Sequence, residues 1–400
     1  MSVYSGPEII DNGLVLAYDM RNTQKSWRGP PVTNYISFPE ASYNGSSFVN
    51  FGYNYANLGA TYTYGVGVSN PVNAPGVLRY FTGTTGYKYF SIDSTSLPVT
   101  GTYTFSYYAR ITSAGNNNVG NSQLWRANGS DRSVTGNWNP TFTPEWVRYS
   151  TTGPAEAGTI LQYFPIHSGS ITGGCTIEYC GFQLEVGSYA TPFVIGSRNN
   201  TQAIVDLTGN SILTINSLTY SSNNTFSFTG ASSNNITVPV STSSTNAIGR
   251  SWEAWVMPSA TQTTAGLFGS VLTGGCTYYC NGGICIASGN YQFNWFDNVA
   301  YQFLDSGVAA TINVPVHIVG TYDASDTKCR IYINGVLKNT GVATNMSYGG
   351  GVNLIQIGYL SASGNYYTGT INNINHYFNY ALPAGEVAQN FNATAGRYGF

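Results

Sequence analysis

Charge is the first thing this sequence is short of. Lys, Arg, Asp and Glu together make up 8% of its 400 residues, where an ordinary globular protein carries about 25%. Its 15 basic and 17 acidic residues leave a formal charge of −2 with no basic run, so nucleic acid and membrane surfaces are excluded as partners. A surface this poor in charge is covered by Asn, Ser, Thr, Gly and Tyr, repels neighbours little, and suits packing in an assembly. Long apolar runs are missing too: none approaches the roughly 18 residues that cross a bilayer. The opening "MSVYSGPEIIDNG" has neither the basic nor the apolar region of a secretory leader, so a soluble protein made in the cytosol is expected. Cysteine is scarce, six in the whole chain, too few for a disulfide scaffold. Cys276, Cys280 and Cys285 cluster, but at no zinc spacing and with no histidine near. His167, His317 and His376 stand far apart, and His317 reads as packed or hydrogen-bonded within its strand. The repeated phrase "GGCTIEYC" and "GGCTYYC" reads as small buried hydrophobes kept reduced. No metal and no cofactor is expected.

What is present is strand. Hydrophobic residues make up 42% of the chain and aromatics 14%, enough for a large core. "GTYTFSYYARI" puts Tyr103, Phe105, Tyr107, Ala109 and Ile111 on one face. Thr102, Thr104, Ser106 and Arg110 fall on the other with Tyr108, the period of a half-buried strand. "TFSFTG", "SWEAWVMP", "VHIVGTYD" and "CRIYINGVLKNTG" repeat the pattern between Gly, Asn and Ser. Asn334-Gly335 between two such runs signals a two-residue hairpin, whose turn positions both need positive φ. One short helix is expected over Ala384 to Phe391, with Pro383 in its first turn, Glu386 at the positive end and Val387 and Phe391 on one face. Many short antiparallel strands and one minor helix mean sandwiches. The opening "NGLVLAYDMRNTQKSW" is a strand whose partners are not beside it. "RNTQ" at Arg21 to Gln24 is echoed by "RNNTQ" at Arg198 to Gln202, which reads as two edges of one cut. On that reading a first domain is interrupted by an inserted one and then resumes.

The pieces from residue 197 onward resemble the laminin-G-like, concanavalin A-like jelly roll. The residues concerned are "DLTGN" (Asp206 to Asn210), "SFTGASSNNITVP", "SWEAWVMP", "HIVGTYDASDTKCRIYINGVL" and "GTINNINHYFNYALPAGEVAQNFNA". That family opens with a strand like "GLVLAYD" and reaches its "D-L-S-G-N" soon after, so the resemblance implies an insertion between the two. Residues 31–196 are similar to carbohydrate-binding-module jelly rolls through "TNYISFPEASYN", "PEWVRYSTT" and "GFQLEVGSYATPFV". The expected fold is all-β: two antiparallel jelly-roll β-sandwiches, one inserted into the other, with one short C-terminal helix. Residues 1–30 plus 197–400 form the discontinuous laminin-G-like sandwich, and 31–196 the insert. "GFQLEVGSYATPFV" and the ending "GEVAQNFNATAGRYGF" also resemble structural proteins of bacteriophage particles. That resemblance implies a non-enzymatic component of the virion (capsid decoration, fibre or tail). Its partners would be other virion proteins and further copies of itself, and its ligands host-surface glycans. The alternatives are a polysaccharide-degrading tail enzyme and a bacterial surface adhesin, the latter disfavoured by the missing leader.

Glycosidase chemistry needs two carboxylates about 5–9.5 Å apart across one cleft. Glu178 and Glu185 stand seven apart, on opposite faces of a strand unless a bulge intervenes. Glu253 reads as a solvent-facing strand residue. No catalytic residue is assigned. Laminin-G-like rims bind calcium through acids, but Thr229, Asn234, Asn235 and Asn372 stand where the family shows them, and Asp206 with Asp323 makes no cage. Sugars dock on exposed Tyr and Trp with amides completing the hydrogen bonds. Trp146 is core by pattern, whereas Trp125 and Trp138 flank the polar stretch "RANGSDRSVTGN". Tyr53, Tyr55, Tyr62 and Tyr64 crowd Gly- and Asn-rich segments. These six are the candidate glycan-binding residues.

Overall fold

The computed structural model describes residues 8–23, 25–36, 51–55, 61–81, 89–113, 121–128, 131–168, 175–221, 225–239, 248–272, 282–297, 299–343, 346, 352–359 and 366–400. It divides into two compact units, Met1–Pro30 with Asn200–Phe400, and Pro31–Asn199. Strand β1 is Leu14–Asp19. The second unit holds β2 (Val32–Thr33), β3 (Phe51–Tyr55), β4 (Thr61–Val66), β5 (Gly76–Phe81), β6 (Tyr89–Asp93) and β7 (Gly101–Ile111). It continues with β8 (Asn121–Asn128), β9 (Asp131–Trp138), β10 (Val147–Ala155), β11 (Ile160–Ser168), β12 (Thr176–Val186) and β13 (Ser197–Arg198). Back in the first unit come β14 (Thr214–Asn216), β15 (Thr219–Tyr220), β16 (Phe226–Thr229), β17 (Asn235–Pro239), β18 (Gly249–Pro258) and β19 (Thr264–Leu272). Then follow β20 (Gly283–Ala287), β21 (Asn290–Phe296), β22 (Tyr301–Ala309), β23 (Val316–Asp323) and β24 (Lys328–Ile333). The last elements are β25 (Val336–Val342), β26 (Val352–Ile357), β27 (Thr368–Phe378) and the helix α1 (Ala384–Ala395).

In the first unit an eight-stranded sheet runs β15-β16-β27-β18-β23-β24-β25, with β1 also on β27. A seven-stranded sheet runs β14-β17-β26-β19-β20-β21-β22. Alternation decides what each strand buries. On β18, Trp252, Ala254 and Val256 join the core together with Phe228, Phe293 and Ile355. β1 pairs antiparallel with β27, Tyr18 opposite Ile374, and Leu16, Tyr18, Met20 and Trp27 belong to the same core. The Asn334-Gly335 turn has φ of 50° and 76° and joins Ile333 directly to Val336 across the hairpin.

The opposite face of the eight-stranded sheet is covered as well. Val319, Tyr332 and Tyr377 pack with Leu382 and Val387, and Ile10 and Leu14 lie against them. α1 runs one turn past Phe391, burying Val387, Asn390, Thr394 and Ala395, the i, i+3, i+7 spacing of one helix face. Pro383 stands at the N-cap, φ −70° and ψ 160°, just before the first turn where the sequence placed it.

The second unit has two five-stranded sheets, β10-β7-β12-β5-β4 and β3-β6-β11-β8-β9. Leu78, Tyr103, Phe105, Tyr107, Tyr179 and Leu184 are among its core residues. β7 is not half-buried as its pattern predicts: Thr104 and Ser106 on its other face are both 0% exposed. The segment after β12 accounts for part of that cover. Glu185 accepts hydrogen bonds from Thr191 N (2.9 Å) and Thr191 Oγ1 (2.6 Å), and Gln183 Oε1 from Val194 N (2.8 Å).

Each unit pairs the two chain segments that flank the cut. In the first, Arg28 N donates to Ala203 O and Val205 N to Ser26 O. In the second, β2 pairs with β13. The buried amide of Asn34 donates there to Phe182 O (2.9 Å) and Val194 O (3.0 Å), and accepts from Leu184 N (3.0 Å). The ends of Pro31–Asn199 therefore lie side by side, the geometry that lets one domain sit within a loop of another.

Candidate functional site

The six aromatic candidates do not form one platform. Tyr53 and Tyr55 lie on β3, Trp125 on β8 and Trp138 on β9, all in one sheet, while Tyr62 and Tyr64 lie on β4 in the other. β3 and β9 are the opposite edges of their sheet, four strand spacings or about 19 Å apart. The stretch read as a polar loop between Trp125 and Trp138 is a hairpin, with Trp125 opposite Val134 and Trp138 opposite Ser122. The side chains of Tyr53, Tyr55, Tyr62, Trp125 and Trp138 lie outside the described residues, as do Cys276 and Cys280. Tyr64 is half-buried against the core, so it packs rather than presents itself. Trp146 reverses its expectation in the other direction: it is half-exposed, donates from Nε1 to Ser69 O (3.1 Å) and carries the Arg110 guanidinium 4.8 Å above its ring.

Glu253 does not face solvent. It is 2% exposed and His317 0%, and His317 Nε2 lies 2.7 Å from Glu253 Oε1. Asn390 of α1 donates to Glu253 Oε2 (2.8 Å) and to the Tyr377 hydroxyl (2.9 Å). Asn390 Oδ1 accepts in turn from Ile10 N (2.8 Å). Burial, then the neighbouring Glu253 charge, pushes the Tyr377 hydroxyl far up. Trp255 and Phe391 flank the imidazole at 5.2 and 5.7 Å. Carboxylate, imidazole and hydroxyl meet as in a proton relay, but a substrate cannot reach them. The cluster ties α1 and the N-terminal segment to the sheet.

Glu178, Glu185 and Asp206 are also committed. A bulge between Cys180 and Gln183 shifts the register of β12, so Glu178 opposes Arg110 and Glu185 opposes Thr104. Partners six residues apart on β7 share a face, so the two acids do too, though about 20 Å apart, beyond glycosidase reach. Gly181 makes the bulge possible, with φ +62° and a Cβ position 2.8 Å from Val72. Burial raises the pKa of Glu185, opposed by hydrogen bonds from Thr191. The Asp206 carboxylate accepts from Ala17 N, Thr208 N, Asn210 N and Ser211 N at 3.0–3.1 Å. "DLTGN" is thus a turn hub that clasps β1. Asn234 Oδ1 accepts from Thr229 N (2.7 Å) and Asn235 Oδ1 from Asn216 Nδ2 (2.9 Å), which makes both structural.

A polar and aromatic face lies where no residue was singled out from the sequence. Tyr291, Phe293, Trp295 and Leu304 of β21 and β22 enter the core. The alternate residues therefore point away from it: Gln292 opposite Asp305, Asn294 opposite Phe303, Phe296 opposite Tyr301. The Phe296 and Tyr301 rings meet at 5.1 Å, and Phe303 is 44% exposed. Asn290 Nδ2 (3.1 Å) and Gln292 Nε2 (3.2 Å) both donate to Asp305 Oδ2, fixing the amides. Asn294 is 1% exposed, and among the described residues neither amide atom has a hydrogen-bond partner. Aromatic rings beside fixed amides on a sheet suit neutral hydroxylated ligands. The legible signal was "YQFNWF", where amides alternate with core aromatics.

Among the described residues no group of His, Cys, Asp and Glu is arranged to hold a metal ion, and no helix is long and apolar enough to cross a membrane. No curated protein matches the sequence. Similar solved structures include the receptor binding domain of botulinum neurotoxin D, at 18% identity and TM-score 0.40 over 50% of this chain and 51% of that one. The botulinum neurotoxin serotype D ligand binding domain in complex with N-acetylneuraminic acid is 17% identical, TM-score 0.38, over 48% and 49%. The botulinum neurotoxin serotype G binding domain is 18% identical, TM-score 0.38, over 48% of each chain. The alignments thus cover about half the length of these proteins. Residues 228–388 match the model of the concanavalin A-like lectin/glucanases superfamily, and the first unit carries that jelly-roll fold.

Proposed function

We propose that the chain is a non-enzymatic structural component of a bacteriophage particle that presents a lectin-like sandwich to glycans on the host surface. The observation that carries the glycan half is the outer face of β21 and β22. There Phe303 lies opposite Asn294 and one pair along from Gln292, whose amide Asp305 holds, with the Phe296 and Tyr301 rings next in the ladder, on a jelly roll of the concanavalin A-like class. Support for the particle half comes from the charge-poor composition and the phage-like phrases "GFQLEVGSYATPFV" and "GEVAQNFNATAGRYGF". The non-enzymatic reading rests on the acids described above: Glu253 and Glu185 are closed off, and Glu178 is neutralised by arginine.

Each site binds weakly, and many copies on one particle raise the effective concentration. Stacking and neutral hydrogen bonds are little screened, so retention on neutral host polysaccharide should persist at high salt. Phe303→Ala should lower that retention by about tenfold without changing the melting temperature, and no reducing ends should be released. Retention unaffected by Phe303→Ala removes this face as the site, and released reducing ends overturn the non-enzymatic reading. Antibody to the chain should decorate phage particles from its source, and undecorated particles overturn the virion placement.

A further inference from the structure

The first unit's aromatic face carries the Asp305 carboxylate, but the second unit carries a positive row. Across neighbouring strands of its sheet, Glu178 of β12 stands between Arg79 of β5 and Arg110 of β7. Arg79 Nε reaches Glu178 Oε1 at 2.6 Å, and Arg110 Nε reaches Oε2 at 2.8 Å. The carboxylate is 1% exposed, whereas the Arg79 side chain is 44% exposed and that of Arg110 29%. Two cations therefore share one anion, leaving a net +1 on this row.

Each guanidinium satisfies one oxygen of the buried carboxylate, but one positive charge is enough to neutralise it, so the second is left over. Both guanidiniums are held in place. Arg110 is stacked on the Trp146 ring at 4.8 Å. Arg79 lies flat along β4, where a Cβ on Gly65 would come within 3.0 Å of its Nε and 3.1 Å of its Cζ. Only the Nε side of Arg79 is used. Among the described residues its Nη1 and Nη2 make no hydrogen bond, so a planar two-donor edge is held ready beside a second positive charge. That edge suits bidentate capture of an oxyanion such as a carboxylate, because two parallel N–H groups meet two oxygens.

We propose that this row of the second unit is a binding site for the carboxylate of an acidic saccharide, a uronic or sialic type of sugar, with Arg79 the direct donor. Arg110 supplies the second charge and Trp146 holds it in place. The saccharide part rests on the lectin-like reading, while the carboxylate part rests on this geometry alone.

Calorimetry on the full chain tests it with three probes: a tetrasaccharide of alternating glucuronic acid and N-acetylglucosamine, the same sugar after carboxyl reduction, and glucose 6-phosphate. The acid form should bind at least about tenfold tighter than the reduced form, the effect of one charge-assisted hydrogen bond, and should weaken with salt. Arg79→Gln should abolish the preference while the chain still melts cooperatively, with a lower midpoint in the second unit because Glu178 Oε1 loses its arginine. Gly65→Ala, which leaves every charge in place but crowds the guanidinium, should reduce it. Equal binding of acid and reduced sugar overturns the site, as does an Arg79→Gln variant that keeps the preference. Glucose 6-phosphate binding as tightly as the tetrasaccharide overturns the carboxylate assignment. Loss of the preference in Phe303→Ala but not in Arg79→Gln moves the site to the first unit. Retention of neutral polysaccharide that survives Arg79→Gln keeps failure of this site distinct from failure of the lectin-like reading.

Discussion

Replacing Glu253 by Ala should destabilise the first unit by about 3–5 kcal/mol, the upper range of single substitutions, reached when a buried hydrogen-bond network loses its shared acceptor. The structure says where that cost arises. His317 Nε2, Asn390 Nδ2 and the Tyr377 hydroxyl all converge on the Glu253 carboxylate, and each buried donor left alone costs about 1–3 kcal/mol. These costs do not add, because the three groups share one acceptor and can re-pair: Asn390 already donates to the Tyr377 hydroxyl at 2.9 Å. For a unit of about 230 residues, each kcal/mol moves the midpoint by about 2–4 °C, so a fall of about 6–20 °C is expected. Glu253→Gln keeps one acceptor and should cost about 1–2 kcal/mol. Calorimetry carries its own control, since the Pro31–Asn199 unit holds none of these residues and its transition should stay fixed. Hydrogen exchange in α1 should quicken, because Asn390 is its tie to the sheet. A Glu253→Ala midpoint within about 2 °C of wild type would refute the argument that an unpaired buried network is costly here.

Acid should weaken the same unit. Burial, aided by Arg250 and opposed by a hydrogen bond to Ser251 O, holds the His376 pKa at about 4 rather than 6.5. The unfolded chain then takes up a proton that the folded one refuses. Stability falls as pH drops from 6.5 through 4, by about 3 kcal/mol, and His376→Gln should flatten that part of a urea-midpoint-versus-pH curve. Gly181→Ala should cost the second unit about 1–3 kcal/mol in urea unfolding, since φ of +62° and the 2.8 Å approach to Val72 both penalise a Cβ. Residues 31–199 expressed alone should melt cooperatively. Residues 200–400 alone should not, because β27 loses β1 from one edge and the core loses Leu16, Tyr18, Met20 and Trp27. A fragment 200–400 melting at the full-length midpoint would show that β1 adds nothing.

What was legible in the sequence is what alternation and turn chemistry write locally. β7 reads off Tyr103 to Ile111, and the Asn334-Gly335 hairpin reads off two residues that tolerate positive φ. What was not legible depends on contacts made from far along the chain. Glu253 alternates with Trp252 and Ala254 as a solvent-facing residue would, and nothing near it shows that α1, more than 130 residues later, closes over that face. Thr104 and Ser106 read as exposed for the same reason, because their partners, Gly187 O and the Arg148 guanidinium, come from more than 40 residues along the chain. Parity counting also fails at a bulge: one glycine at 181 moves Glu185 to the face that seven-residue spacing denied it. The loop expected between Trp125 and Trp138 went astray through composition, since the Gly, Asn and Ser there look like a loop yet pair as β8 and β9. Composition hid the functional candidates as well. In a chain 8% charged, Asp206, Glu185 and Glu253 are spent inside the fold, so an acid's presence says little about chemistry. The informative departure is the row where charge is left over, two arginines on one buried glutamate. Only the register of β5, β7 and β12 brings those three residues together.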